Sequence, residues 1–179
     1  MTNEAQISHW AGDGGAQWVA DHDRYDRMLA PYGRRVVAAL ALEPDAHVLD
    51  VGCGNGALTR QLAALVPAGH VTGVDISTPM LAFARRRATE EGIDNVEFVE
   101  ADAQVHDLGA GRFDAVVSRF GVMFFDDPEA AFANIGVAVR PQGQLVFACW
   151  RELLANEWMT VPVGAALQHV PMPALPAGG

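Results

Sequence analysis

Val48-Leu49-Asp50-Val51-Gly52-Cys53-Gly54-Asn55-Gly56 is the stretch that decides the fold. A short apolar run broken only by Asp50 reads as a buried strand. Glycine at every second position after it reads as a loop whose backbone must turn tightly or let a ligand come close. A helix follows over about 57–66, with Leu58, Leu62 and Leu65 on one face. Moving toward the C-terminus, the same alternation repeats: a strand over 71–74, a helix over 79–91, strands over 96–99 and 113–118, a helix over 128–139 and a strand over 144–149. Pro67-Ala68-Gly69, Glu91-Gly92 and Pro141-Gln142-Gly143 separate the units. Strands alternating with helices imply an α/β fold with a parallel sheet covered on both faces.

Moving toward the N-terminus, residues 16–42 carry a helical pattern through Trp18, Val19, Tyr25, Met28, Leu29, Val36, Val37 and Leu40. Pro31 suggests a break, and the reading is two short helices and a longer one. Residues up to Gly15 show no period and are expected to be loosely docked. Past Trp150 a last helix is expected over about 156–169, and residues 171–179, rich in Pro and Gly, read as a flexible tail. The domain reading is therefore a helical N-terminal segment (1–43), a sheet domain (44–150), a C-terminal helix (151–170) and the tail.

At 179 residues with 50% hydrophobic and 19% charged composition, the chain suits one globular domain, and no apolar run is long enough to span a membrane. All 12 basic residues are Arg, so chemistry that needs a Lys amine, such as a Schiff base or the Walker phosphate loop, cannot be built. The net charge of −10 argues against nucleic acid as a partner. Cys53 and Cys149 have neither Cys-x-x-Cys spacing nor a preceding signal peptide, which reads as a cytoplasmic location.

In a parallel sheet, ligands bind beyond the carboxyl ends of the strands, where Gly52 to Gly56 lie. Spacing alone leaves two readings: Gly-x-Gly-x-Gly, or a dinucleotide fingerprint with Ala57 in the last glycine place. Asp50, two residues ahead of the loop, would repel a pyrophosphate and suits a cationic ligand. Asp75, 19 residues after Gly56, stands where a carboxylate accepts both hydroxyls of a ribose, or else caps the helix that begins near Ser77.

On these motifs the chain resembles the class I S-adenosylmethionine-dependent methyltransferases, particularly the small-molecule group related to the ubiquinone and menaquinone biosynthesis enzymes. Val48 to Gly56 is similar to their first motif and Val71-Thr72-Gly73-Val74-Asp75-Ile76-Ser77 to the second. Glu100-Ala101-Asp102-Ala103 resembles the segment that meets the adenine, where Asp102 would take the exocyclic amine. Phe113 to Ser118 and Val139 to Leu145 resemble the later motifs. The resemblance implies a Rossmann-like doubly wound sheet of order 3-2-1-4-5, with the N-terminal helices as a lid over S-adenosylmethionine. It places Asp50, Gly52, Cys53, Gly54, Asn55, Gly56, Asp75, Ile76, Met80, Asp102, Ala103, Ser118, Arg119 and Phe120 against that cofactor. The chain departs from the pattern in having Gln142 where family members usually have Gly, a change expected to cost little. It also has nothing after Trp150 that reads as strands six and seven, so the resemblance is to a member truncated after strand five.

The implied reaction is in-line methyl transfer to a small-molecule acceptor, which needs no protein nucleophile. Ser118-Arg119-Phe120-Gly121 lacks the motif of amino-directed nucleic acid methyltransferases and the strand-end Asp of metal-dependent catechol enzymes. Asp126-Asp127 reads as a helix cap rather than a metal site, so no metal is expected. Arg119, at a strand end, needs a partner that an acidic or enolic acceptor could supply. Tyr25 or His22 on the lid could orient the acceptor or take its proton, though packing explains His22 as well. Two other readings are a fragment that keeps part of the cofactor site without the acceptor wall, and an NAD-dependent oxidoreductase. With strand five as an exposed edge, either the last helix covers it or two chains meet there as a homodimer.

Overall fold

The computed structural model describes residues 3–170, so the tail read over 171–179 lies outside the described residues. Residues up to Cys149 form one compact unit and those from Trp150 a second. In the first unit, β1 (His47–Val51), β2 (His70–Asp75), β3 (Val96–Glu100), β4 (Phe113–Arg119) and β5 (Val139–Ala148) make a parallel sheet of order β3-β2-β1-β4-β5. β1 pairs with β2 on one side (Val48 with Val71) and with β4 on the other (Val48 with Ala115). A central strand covered on both faces must be apolar throughout, which is why Val48, Leu49 and Val51 and even Asp50 are buried.

Helices α4 (Ala57–Ala63), α5 (Thr78–Glu90) and α6 (Pro128–Ala138) connect the strands. Leu58, Leu62, Val66, Val71 and Val117 form one core cluster, and Leu49, Val51, Val74, Val116 and Ile135 form another. The Asp127 side chain accepts the Ala130 N–H at 3.0 Å, which caps α6, as its place ahead of Pro128 suggests.

Three N-terminal helices, α1 (Glu4–Ala11), α2 (Asp13–Ala20) and α3 (His22–Ala38), complete the first unit. Two expectations are corrected here. The segment before Gly15 is helical and tied down: Asn3 Nδ2 donates to the Phe124 carbonyl at 3.0 Å, and Ser77 Oγ donates to the Trp10 carbonyl at 2.5 Å. Gly15 permits that approach, because a Cβ there would run into the Trp10 carbonyl. Nor does Pro31 end the helix. It lies inside α3, whose buried face of Leu29, Gly33 and Val36 outweighs the lost backbone hydrogen bond.

β5 begins earlier than expected, at Val139, and its pairing with β4 is irregular between Phe113 and Ala115. Gln142 takes φ 68 within that irregularity. Glycine adopts this conformation freely, whereas another residue pays about 1–2 kcal/mol, so the departure from Gly is not the free change expected. The second unit holds a 3-10 turn (Leu153–Ala155) and α7 (Glu157–Ala166). The Asn156 amide donates to the Arg151 and Glu152 carbonyls, and the Trp150 and Trp158 rings lie 5.0 Å apart.

Removing the cap of α6 tests this account of the helix. Asp127→Ala should lower unfolding stability by about 0.5–2 kcal/mol, read from denaturant titration.

Candidate functional site

Every connection that leaves the carboxyl end of β1 to β4 contributes to one cavity. It is a cleft open to solvent, lined from all four strand ends and from the N-terminal helices. The loop after β1 forms the floor. Gly52, Gly54 and Gly56 all have positive φ, at 68, 53 and 70 degrees, which a side chain tolerates poorly. The Gly52 and Cys53 amides donate to the Val74 carbonyl at 2.8 and 3.1 Å, which ties the loop across to β2. Arg60 Nη1 donates to the Asn55 carbonyl at 2.8 Å, and its Nε to Glu91 at 3.1 Å.

At the end of β2, Asp75 accepts the Gly54 N–H at 2.7 Å on one oxygen and the Ser77 N–H at 2.9 Å on the other. The residue braces the start of α5, the second of its two readings, and it also lines the cavity. Burial raises its carboxyl above the ordinary value, and the amides of Gly54, Ser77 and Ile76 oppose the rise. After β3, Asp102 accepts the Gln104 N–H with one oxygen at 2.9 Å, while its Oδ2 is buried with no hydrogen-bond partner among the described residues. The Asn55 amide is likewise buried with both polar atoms unmatched.

Asp50 lies beneath the loop and outside the cavity wall. Its Oδ2 accepts the Thr59 hydroxyl at 2.7 Å and its Oδ1 has no hydrogen-bond partner among the described residues. Burial pushes its carboxyl up to about 6, against the Thr59 hydrogen bond and the Arg119 charge. Burial also pulls the Arg119 guanidinium below its ordinary value, opposed by Asp50 and Asp26. Cys53 faces the cavity, with a thiol that burial raises well above its ordinary value, as suits a space-filler rather than a nucleophile.

The cavity brings together Gly52, Cys53, Gly54, Asn55, Asp75, Ile76, Met80, Asp102, Ala103, Arg119 and Phe120 of the residues singled out in the sequence. Asp50, Gly56, Ser118, His22 and Tyr25 are not on its wall. Gly56 precedes α4, and the Ser118 hydroxyl donates to the Val51 carbonyl at 2.7 Å while accepting the Gly121 and Val122 amides. This holds the turn in which Phe120 takes a left-handed φ of 67. Tyr25 stacks flat on Trp18 with centroids 3.9 Å apart, and His22 packs on Phe83. Met123 lines a separate shallow groove beside Asn3 to Gln6. Sequence reasoning passed over Asn3, Asp26 and Leu29, which also line the cavity. Asp26 and Leu29 share the face of α3 that carries Gly33, a signal available from the i, i+3, i+7 spacing.

A parallel sheet with a left-handed glycine loop after its first strand and a carboxylate ending its second defines a nucleotide-type cofactor site on a doubly wound fold. Residues 48–143 match the methyltransferase domain family, and the chain belongs to the class I S-adenosylmethionine-dependent methyltransferases. It is 40% identical to a demethylmenaquinone methyltransferase of Thermus thermophilus over 69% of this chain and 59% of that protein. It is 32% identical to the aklanonic acid methyltransferase DauC of a Streptomyces species, over 82% of this chain and 72% of that one. The crystal structure of an S-adenosylmethionine-dependent methyltransferase from Aquifex aeolicus shares the fold. Its TM-score is 0.62 at 22% identity, over 66% of this chain and 64% of that one. The chain thus spans about three fifths to three quarters of the length of these proteins. Among the described residues, no helix is long and apolar enough to cross a membrane.

The raised Asp50 carboxyl sets a pH dependence. A pKa lifted from 3.8 to about 6 in the folded state means that the folded chain holds this proton more tightly than the unfolded one. Its favourable contribution is complete below about pH 4 and is lost as pH rises through about 6. Asp50→Asn should therefore gain on the wild type by a few kcal/mol between acid and neutral pH, read as the difference in denaturant-derived stability.

Proposed function

We propose that the chain transfers a methyl group from S-adenosylmethionine to a small-molecule acceptor in the cavity beyond β1. The observation that carries this reading is the set of unmatched polar atoms around the glycine loop. Among the described residues Asp102 Oδ2 and the Asn55 amide are buried without hydrogen-bond partners, and Asp75 keeps acceptor capacity toward the same space. An adenine amine, a ribose diol and a methionine head group would satisfy them. A side chain at Gly54 would need a strained φ, and its Cβ would meet Met80 Cε at 2.6 Å.

When bound, S-adenosylmethionine supplies a methyl group on a sulfonium that is already a leaving group. The chain then has to hold, orient and keep dry. In this proposal Asp102 receives the adenine amine, Asp75 the ribose hydroxyls and Gly52 to Gly56 the methionine part. Trp10, Trp18 and Leu29 from the N-terminal helices close over it as the lid that excludes water. The carboxylates of Asp75 and Asp102 on the wall and Asp50 beneath it favour a ligand carrying positive charge over the pyrophosphate of NAD. Tyr25 is set back from the wall and reaches the acceptor only through Trp18, which lines the cavity, while His22 packs on Phe83, which does not. The homodimer belongs to the same proposal, supported by β5 standing last in the sheet with Leu145 and Phe147 exposed.

Calorimetry tests the reading. S-adenosylhomocysteine should bind and NAD should not, and Asp75→Ala should weaken the complex by about 1–3 kcal/mol, the scale of hydrogen bonds to a charged group. Binding of NAD in preference, or full affinity in Asp75→Ala, would refute it.

A further inference from the structure

The cavity has two sides with different chemistry. β2 and β3 lie on one side of β1 and bring Asp75 and Asp102. β4 lies on the other and brings Arg119, Phe120 and the turn that follows. α3 is close to this second side, because a Cβ at Gly33 would sit 3.6 Å from Arg119 Nη1. The same helix face delivers Leu29 and the carboxylate of Asp26 to the cavity wall. Around them the wall is apolar and aromatic, with Trp10, Trp18, Phe120, Phe124 and Phe125.

Asp26 meets the fold through charge and packing alone. Its half-buried carboxylate takes no hydrogen bond among the described residues. The charged groups facing it are Arg119 from β4, Arg60 from α4, and His22 and Asp23 from its own helix. Of these, Arg60 is already engaged with Asn55 and Glu91, and the charge of Arg119 is shared between Asp26 and Asp50. Burial raises the Asp26 carboxyl despite these cations, as expected of an acceptor that lacks a donor. Two carboxylates, Asp50 and Asp26, already face the Arg119 charge, and a carboxylate brought to this wall would meet Asp26 as a further anion.

Resting on the methyltransferase reading, we infer that Asp26 determines acceptor specificity: it accepts a hydrogen bond from a neutral O–H or N–H on a flat ring and turns away a ring carboxylate. An enolic or phenolic acceptor fits this wall, and a carboxylic acid does not. The selection works by a donor matched to an unpartnered acceptor and by repulsion of the wrong charge.

The test uses the whole chain saturated with S-adenosylhomocysteine and two probes with the same ring system, naphthol and naphthoate, followed by calorimetry at neutral pH. Naphthol should bind at least about tenfold more tightly than naphthoate, the scale of a like-charge contact. Asp26→Asn should erase the preference by strengthening naphthoate, and Asp26→Glu should keep its direction. The affinity for S-adenosylhomocysteine should stay unchanged in both variants. Equal binding of the two probes, no binding of either, or a preference that survives in Asp26→Asn overturns the inference. So does a large loss of S-adenosylhomocysteine affinity in Asp26→Asn, which would place the carboxylate on the cofactor instead. A wild-type chain that takes no S-adenosylhomocysteine fails the methyltransferase reading and this one with it, whereas a chain that takes it and shows no probe selectivity fails this inference alone.

Discussion

The hydrogen bond from the Gly54 N–H to the Asp75 carboxylate, 2.7 Å long, ties the loop after β1 to the end of β2. It adds to the bonds from the Gly52 and Cys53 amides to Val74 in fixing three left-handed glycines, which give up more conformational freedom on ordering than any other residue. The Asp75 carboxylate offsets that cost with its own desolvation only partly repaid, as the raised value of its carboxyl shows. The loop, the start of α5 and the cavity floor therefore share one acceptor group. A ligand that adds hydroxyl donors to it would complete its solvation and stiffen all three.

Below the loop, Asp50 plays the converse part. It is sealed into the core with one oxygen satisfied by Thr59 and the other left over, and its field reaches both Arg119 and Asp75. Retaining such a group costs stability at neutral pH, and a hydrophobic residue of similar volume would fold more comfortably there. The group sits directly beneath the glycine loop, where its charge above about pH 6 favours a positively charged ligand.

Much of this arrangement was legible in the sequence. The alternation of strand and helix patterns from Val48 to Ala148 and the glycine spacing after β1 have local causes: burial on both sheet faces, and backbone angles open only to glycine. Asp75 could be placed because it ends a strand, and Asp102 through the resemblance of the segment after the third strand to a known family. The N-terminal segment was harder to read. α1 and α2 are eight residues each and are held by contacts distant in sequence, such as Asn3 to Phe124 and Trp10 to Ser77. No short-range pattern encodes such pairs. Pro31 misled for a related reason, since its local penalty is outweighed by a buried helix face that only the tertiary structure reveals. Asp26 went unnoticed because a lone carboxylate on an amphipathic helix looks like solvated surface until the cavity is seen. Tyr25 drew attention as an aromatic phenol, whereas its ring is taken up in stacking on Trp18.

The division of the cavity between β1–β3 on one side and α3 with the turn after β4 on the other has an evolutionary consequence. On the proposed reading, the residues that would hold the cofactor belong to the sheet's own connections, where change is felt by the core. Those that would face the acceptor come from a helix laid over the sheet and from a short turn. Substitutions at Asp26, Phe124 or Phe125 would then accumulate more independently of Gly54, Asp75 and Asp102 than changes within the loops themselves. A lineage built on this plan can exchange one acceptor for another by drift on the overlying face while its cofactor chemistry is inherited intact.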